Sequence, residues 1–201
     1  MKIVLIRHGS TDGNALKRYI GSTDEPLSEA GRAQVCDAGV DHSLKTAWVS
    51  TLKRTHETAR LLFPNAQLIE EKAFDEMNFG TFEGKNYSEL QDNPDYTRWV
   101  EQGCLDPCPE GESREEFCAR VCPVFEKSVR QLMQSGAEQM VMVVHGGTIM
   151  AVLERYALPK KDYFTYAPKN CRGYVCEASF DPNGQLTLSI DSKWEHNRTE
   201  I

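Results

Sequence analysis

The chain has 201 residues, 40% of them apolar and 26% charged, and a formal net charge of −7 at pH 7. This length suffices for a sizeable core in a single domain, residues 1–201, and the composition is ordinary for a globular protein. The acidic balance argues against general binding to nucleic acid or anionic membrane, so any anion site must be local.

Nothing approaches the ~18 consecutive apolar residues of a membrane span. The stretch MKIVLIRHGS has four apolar residues in a row before Arg7, too few for a secretory apolar region, so a cytoplasmic location is expected. Seven cysteines argue against a disulfide framework. Cys104/Cys108 and Cys118/Cys122 share an i,i+4 spacing, looser than structural zinc spacings and without a histidine nearby. Inert buried thiols are expected, with no metal and no cofactor.

In chain order, residues 2–6 read as a fully buried strand. Ser28 is a candidate N-cap for a helix running to about Leu44 despite Gly31 and Gly39. A short strand follows at 47–50. TLKRTHETARLLF then has helical spacing and is stopped by Pro64. Residues 66–69 form a third strand, and 78–111 is a Gly- and Pro-punctuated acidic segment placed to act as a cap. A long helix starts near Ser113, with a kink expected at Pro123. QMVMVV, 139–144, is the strongest buried strand and TIMAVLERYAL the last helix. Strands at 173–180 and 185–190 flank the turn Asp181-Pro182-Asn183-Gly184. This alternation predicts an α/β fold, a three-layer sandwich with a mostly parallel central sheet flanked by helices.

Two core strands, 2–6 and 139–144, each end in a histidine, His8 and His145. In open α/β sheets the ligand crevice lies at the carboxyl edge of the strands. Gly9, Gly146 and Gly147 would let the backbone approach a ligand, and the helix after Gly147 could aim free N–H groups at an anion.

Metal-free cleavage of a phosphate ester needs fixed donors around the phosphoryl oxygens, and a guanidinium fork binds two of them at once. Arg7 and Arg54 are the candidates. A neutral imidazole is a competent nucleophile if its other ring nitrogen donates to a carbonyl, which suits His8, with His145 donating to the phosphoryl group from the far side. The leaving alkoxide needs a proton from a carboxylic acid kept protonated beside the phosphate, and Glu76 is the candidate.

Taken together, these elements resemble the histidine phosphatase superfamily, the phosphoglycerate-mutase-like group. Arg7-His8-Gly9, Thr11 and Asn14 resemble its signature loop, and Pro26-Leu27-Ser28 through Gly31 and Gln34 its following helix. Ser50, Leu52, Arg54, Thr58 and Ala59 match its second arginine element. Glu76 with Phe79-Gly80 and Glu83-Gly84 resembles the acid-bearing segment, Glu110-Gly111-Glu112-Ser113 the loop opening the long helix, and His145-Gly146-Gly147 the second histidine. Ser10 departs from the Glu or Gln of many members, which leaves the chemistry untouched.

The resemblance implies a metal-independent phosphatase working through phosphohistidine on His8, with Arg7, Arg54, Glu76 and His145 catalytic. Arg7, Gly9, Asn14, Thr23, Arg54 and Gly146 are the candidate substrate-binding residues. Its partner is a small-molecule phosphomonoester, without nucleic acid or membrane, and the chain is expected as monomer or homodimer. A phosphoglycerate mutase and an inactive phosphate-binding regulatory module are the alternatives. Segment 83–112 holds eight acids (Glu83, Glu89, Asp92, Asp95, Glu101, Asp106, Glu110, Glu112) against Lys85 and Arg98, and so should repel a multiply charged glycerate. Tyr87, Tyr96 and Trp99 either pack the cap or offer flat faces to a ring-bearing ester. The short chain and these aromatics resemble α-ribazole-5'-phosphate phosphatases of cobalamin assembly, and broad-specificity phosphatases share most of them. Lys17, Arg18 and Lys53 add positive charge or are simply solvated. His42, His56 and His196 lack motif context and read as surface residues.

Overall fold

Two apolar runs, Ile3–Ile6 and Met140–Val144, organise the molecule, and every one of their side chains is at most 1% exposed. A computed structural model describes residues 1–195, so His196 lies outside the described residues. Strand β1 (Lys2–Arg7) is followed by a one-turn helix α1 (Asp12–Ala15), α2 (Glu29–Asp37), β2 (Thr46–Val49), α3 (Lys53–Leu62) and β3 (Gln67–Glu70). The cap carries α4 (Tyr87–Leu90) and α5 (Pro94–Glu101). Then come α6 (Arg114–Gln134), β4 (Gln139–Val144), α7 (Gly146–Tyr156), a two-residue β5 (Ala157–Leu158), β6 (Gly173–Phe180) and β7 (Leu186–Trp194).

The sheet order is β3-β2-β4-β1-β6-β7-β5. Strands β3, β2, β4 and β1 are parallel neighbours, whereas β6 is antiparallel to both β1 and β7. Alternation along the two central strands builds the layers. Ile3, Leu5, Met140, Met142 and Val144 face a core shared with α6, α7 and the cap. Val4, Ile6, Val141 and Val143 face a second core under α2 and α3. Each such side chain contributes about 1.5–3 kcal/mol by leaving water. Because β1 and β4 are adjacent and parallel, with Arg7 level with Val144, His8 and His145 emerge side by side at one edge.

Several boundaries differ from the sequence reading. Helix α2 stops at Asp37, not near Leu44, because Gly39 takes a left-handed conformation (φ 92°) and its N–H closes back on the Cys36 carbonyl at 3.1 Å. Helix α7 starts at Gly146, and its expected last two residues instead pair with Leu188 and Ser189 of β7. Helix α6 continues through Pro123 from Arg114 to Gln134. Strand β7 extends to Trp194, past the expected residue 190. Helix α1 has no apolar periodicity and was not foreseen; a reciprocal cap between Thr11 and Asn14 holds it. Among the described residues no helix is long and apolar enough to cross a membrane.

Candidate active site

The nucleophile candidate is fixed by its own loop. The His8 backbone N–H donates to the Val144 carbonyl at 2.9 Å, which ties β1 to β4 where both strands end. His8 Nδ1 lies 2.7 Å from the Gly9 carbonyl oxygen, an acceptor only, so Nδ1 carries the proton and Nε2 keeps a free lone pair. Burial and the neighbouring Arg54 and Arg7 charges hold the imidazole pKa well below 6.5, leaving the ring neutral at pH 7. Gly9 is needed for packing, since a Cβ there would sit 2.6 Å from Val35 Cγ2 of α2. Its N–H donates to Thr58 Oγ1 at 2.9 Å.

Two guanidinium groups flank this ring. Arg54 opens α3 and is 0% exposed. Its Nη1 and Nη2 donate to the Thr23 and Gly21 carbonyls, each at 2.7 Å, and its Nε donates to His145 Nδ1 at 3.3 Å. Arg7 ends β1, and its Nη1 donates to the Pro168 carbonyl at 2.8 Å. The Arg7 Nε is buried without a hydrogen-bond partner. Neither arginine has an ion pair with a carboxylate among the described residues; their held partners are carbonyls and a ring nitrogen. Burial lowers both pKa values and the nearby Glu76 charge offsets this.

His145 lies with its ring centroid 5.2 Å from that of His8, at 65° between planes. Since Arg54 can only donate, His145 Nδ1 accepts, and Nε2–H donates to Ser50 Oγ at 2.7 Å. Ser50 in turn contacts Thr55 Oγ1 at 3.0 Å. Burial and Arg54 lower the His145 pKa well below 6.5. The expected role as donor to a phosphoryl group is therefore not available in this state. It requires a second proton on Nδ1, which the negative charge of a bound phosphoryl group favours.

Glu76 sits across from this pair. Its Oε2 accepts from the Gly147 N–H at 2.9 Å and its Oε1 from the Met77 N–H at 3.0 Å. A Cβ on Gly147 would lie 2.1 Å from Oε1, so this glycine makes room for the acid. A Cβ on Gly146 would be 3.5 Å from the Arg7 guanidinium. The amino end of α7 thus meets both the acid and the cation, where its dipole favours an anion.

Arg7, Glu76, Gly146, Gly147 and Asn14 line a cavity of about 290 Å³ that continues outward over Tyr19, Phe79, Trp99, Met150, Tyr163 and Phe164. His8, Arg54 and His145, all at most 3% exposed, form the buried layer beside it. The five predicted catalytic side chains therefore converge. Asn14 lines the cavity and its Oδ1 accepts from Asn170 Nδ2 at 3.0 Å, which also reaches the His8 carbonyl at 3.2 Å. Gly9 and Thr23 do not line the cavity. Thr23 instead donates its hydroxyl to Glu83 at 2.6 Å and its carbonyl holds Arg54.

The cap corrects one electrostatic expectation. None of its eight acids lines the cavity. Glu83 is taken up by backbone N–H groups, Glu89 pairs with Arg18, Asp95 with Arg98, and Glu112 with Arg120. Besides Arg7, the cavity wall holds Arg18 and Arg114, the latter 5.0 Å from the Tyr163 ring centroid. Tyr96 and Trp99 are buried and pack the cap, with Trp99 also reaching the cavity, while Tyr87 is 65% exposed. His56 reaches the Ser50 carbonyl at 2.9 Å and Glu70 at 3.1 Å, so it joins the edge of the network rather than standing free. Cys108 and Cys122 are buried, Cys104 and Cys118 half-buried. Arg114 is the first residue of α6, after its Ser113 cap, and Tyr163 lies in a segment without apolar period or motif; nothing in the sequence shows that either reaches the cavity.

A buried histidine with a free ring nitrogen, two guanidinium groups without a direct ion pair among the described residues and a carboxyl against a helix start form a cluster chemically suited to an anionic group. Residues 3–190 match the model of the histidine phosphatase superfamily (branch 1), and the chain belongs to that family. It is 29% identical over 161 residues to 2,3-bisphosphoglycerate-dependent phosphoglycerate mutase 2 of Gloeobacter violaceus, covering 75% of this chain and 73% of that one. The fold is similar to that of mycobacterial hydrolase 1 (TM-score 0.83, 23% identity, 98% and 99% of the two chains). It is also similar to the α-ribazole phosphatase of Shigella flexneri (TM-score 0.75, 22% identity, 94% and 95%). Members of the family are phosphatases or mutases.

Proposed function

We propose that this chain hydrolyses a small-molecule phosphomonoester without a metal ion. The observation that carries the proposal is the pair of guanidinium groups, Arg7 and Arg54, set beside the free His8 nitrogen with no carboxylate of their own. An unpaired buried charge is costly, and a phosphoryl dianion is the counter-charge that would relieve it. His8 Nε2 forms a bond to phosphorus while the ester P–O bond breaks, and Glu76 gives its proton to the departing oxygen. Water then attacks the phosphohistidine, with the Glu76 carboxylate taking its proton, and His8 leaves with its lone pair restored.

Transfer to water rather than to a second hydroxyl is supported by the cavity beyond the reaction centre. Its aromatic and thioether wall suits an ester with an apolar or ring-bearing body that departs after cleavage, and α-ribazole 5'-phosphate is one such ester. Arg114, without an ion pair among the described residues, favours a second reading, a phosphoglycerate mutase that holds a carboxylate. Phosphate release from a panel of α-ribazole phosphate, sugar phosphates, nucleotides and phosphoglycerates, in the presence of EDTA, tests both. Release from a ring-bearing ester without loss to EDTA supports the phosphatase. Interconversion of 2- and 3-phosphoglycerate well above phosphate release would replace it with the mutase.

A further inference from the structure

Glu83 lies just after the turn Gly80–Phe82 of the cap, away from the reacting groups, yet its carboxylate is the most heavily used acceptor near the site. The consecutive N–H groups of Gly21 (3.1 Å), Ser22 (2.9 Å) and Thr23 (3.3 Å) all point at it, joined by the Phe79 N–H at 3.0 Å. The Thr23 hydroxyl adds a fifth bond at 2.6 Å. Successive N–H groups curved around one acceptor form an anion nest. Here the nest is filled by the protein's own side chain.

The other side of the same loop faces Arg54. The Gly21 and Thr23 carbonyls accept from Nη2 and Nη1, both at 2.7 Å. Glu83 thus holds the loop through its N–H groups while Arg54 is held through its carbonyls. The peptide joining Gly21 to Ser22 donates its N–H to the carboxylate and its carbonyl accepts from the guanidinium, so its dipole is aligned with the field of both charges. Gly21 is clamped between these contacts, since a Cβ there would lie 1.8 Å from the Met77 carbonyl oxygen and 2.5 Å from Glu83 Oε1.

We infer that Glu83 is a positioning residue for Arg54: by filling the 21–23 nest it fixes the two carbonyls that aim the guanidinium at the phosphoryl site. It is the counter-charge of Arg54 at one remove, and leaves the second N–H of each Nη for the ligand. This rests on the phosphoryl-binding reading of the site. Glutamine keeps the shape of the side chain but removes its charge and half of its acceptor capacity, so the loop relaxes and Arg54 loses its aim.

The test is a double-mutant cycle read by orthovanadate affinity, with thermal midpoints recorded for each variant. Glu83→Gln is expected to weaken vanadate binding about tenfold, and Arg54→Lys, whose single ammonium cannot span both carbonyls, at least as much. In the Arg54→Lys background Glu83→Gln should cost less than about twofold further, because its effect passes through Arg54. If Glu83→Gln does not purify folded, Thr23→Ala, which removes only the hydroxyl bonded to Glu83, should weaken binding about threefold with the same non-additivity. Additive losses, or unchanged affinity in the single variant, would overturn this role and leave the anion site standing. Failure of the unmodified protein to bind vanadate would overturn the anion site and the role with it.

Discussion

Glu76→Gln removes the acid while keeping the side-chain shape, and the structure sets two consequences apart. The carboxylate accepts from two backbone N–H groups, Gly147 at 2.9 Å and Met77 at 3.0 Å. An amide has one acceptor oxygen, so one of these donors must face an NH2 group, a loss of about 1–3 kcal/mol in stability for a poorly satisfied buried group. The chemical loss is separate. Without a proton for the departing alkoxide, kcat on an alkyl phosphate should fall by about 10²–10⁴. On p-nitrophenyl phosphate, whose leaving group departs without protonation, the fall should stay within about tenfold. Both are measured by phosphate release at saturating ester, below the variant's unfolding temperature. Equal losses on the two esters would remove Glu76 from the acid role, because a merely displaced loop slows both alike.

Gly147→Ala should act through the same acid, since a Cβ would lie 2.1 Å from Glu76 Oε1. Alanine suits the helix backbone, so the variant should fold, lose about 10² in alkyl-ester kcat and lose less on the nitrophenyl ester. Stability against pH follows from His8 and His145, both buried and both held well below 6.5. The unfolded chain binds protons at these rings as pH falls through 6.5 while the folded one does not, so stability is full above 6.5 and declines below it. The slope reaches ~1.4 kcal/mol per pH unit for each histidine. Denaturant unfolding between pH 7.5 and 5 checks this, and His145→Gln should flatten the decline by about half; an unchanged slope would contradict the buried neutral ring.

The central sheet was legible because β1 and β4 are continuous apolar runs, a pattern that survives without knowledge of neighbours. Four of the candidate residues, Arg7, His8, Arg54 and His145, were legible because each stands at a strand end or a helix start, whereas Glu76 was legible only through the resemblance of its segment to the family's acid-bearing one. Contacts between distant segments left no such mark. Glu83 reads as one acid among eight in the cap, and only the fold turns it toward the N–H groups of Gly21, Ser22 and Thr23. Counting charge over 83–112 misjudged the cavity for the same reason, since Glu89, Asp95 and Glu112 are spent on Arg18, Arg98 and Arg120. The end of α2 was missed because a glycine inside a helical pattern is compatible with continuation. The left-handed turn at Gly39 is set where the Asp41 N–H meets the Leu62 carbonyl at 2.8 Å.

The most direct measurement is a rapid quench in base of the enzyme with an ester labelled in its phosphoryl group, followed by mapping of the labelled peptide. The protein should carry label on His8 alone, stable in base and lost in acid, and His8→Ala should neither label nor turn over. Label on any other side chain, or turnover retained by His8→Ala, would contradict the account.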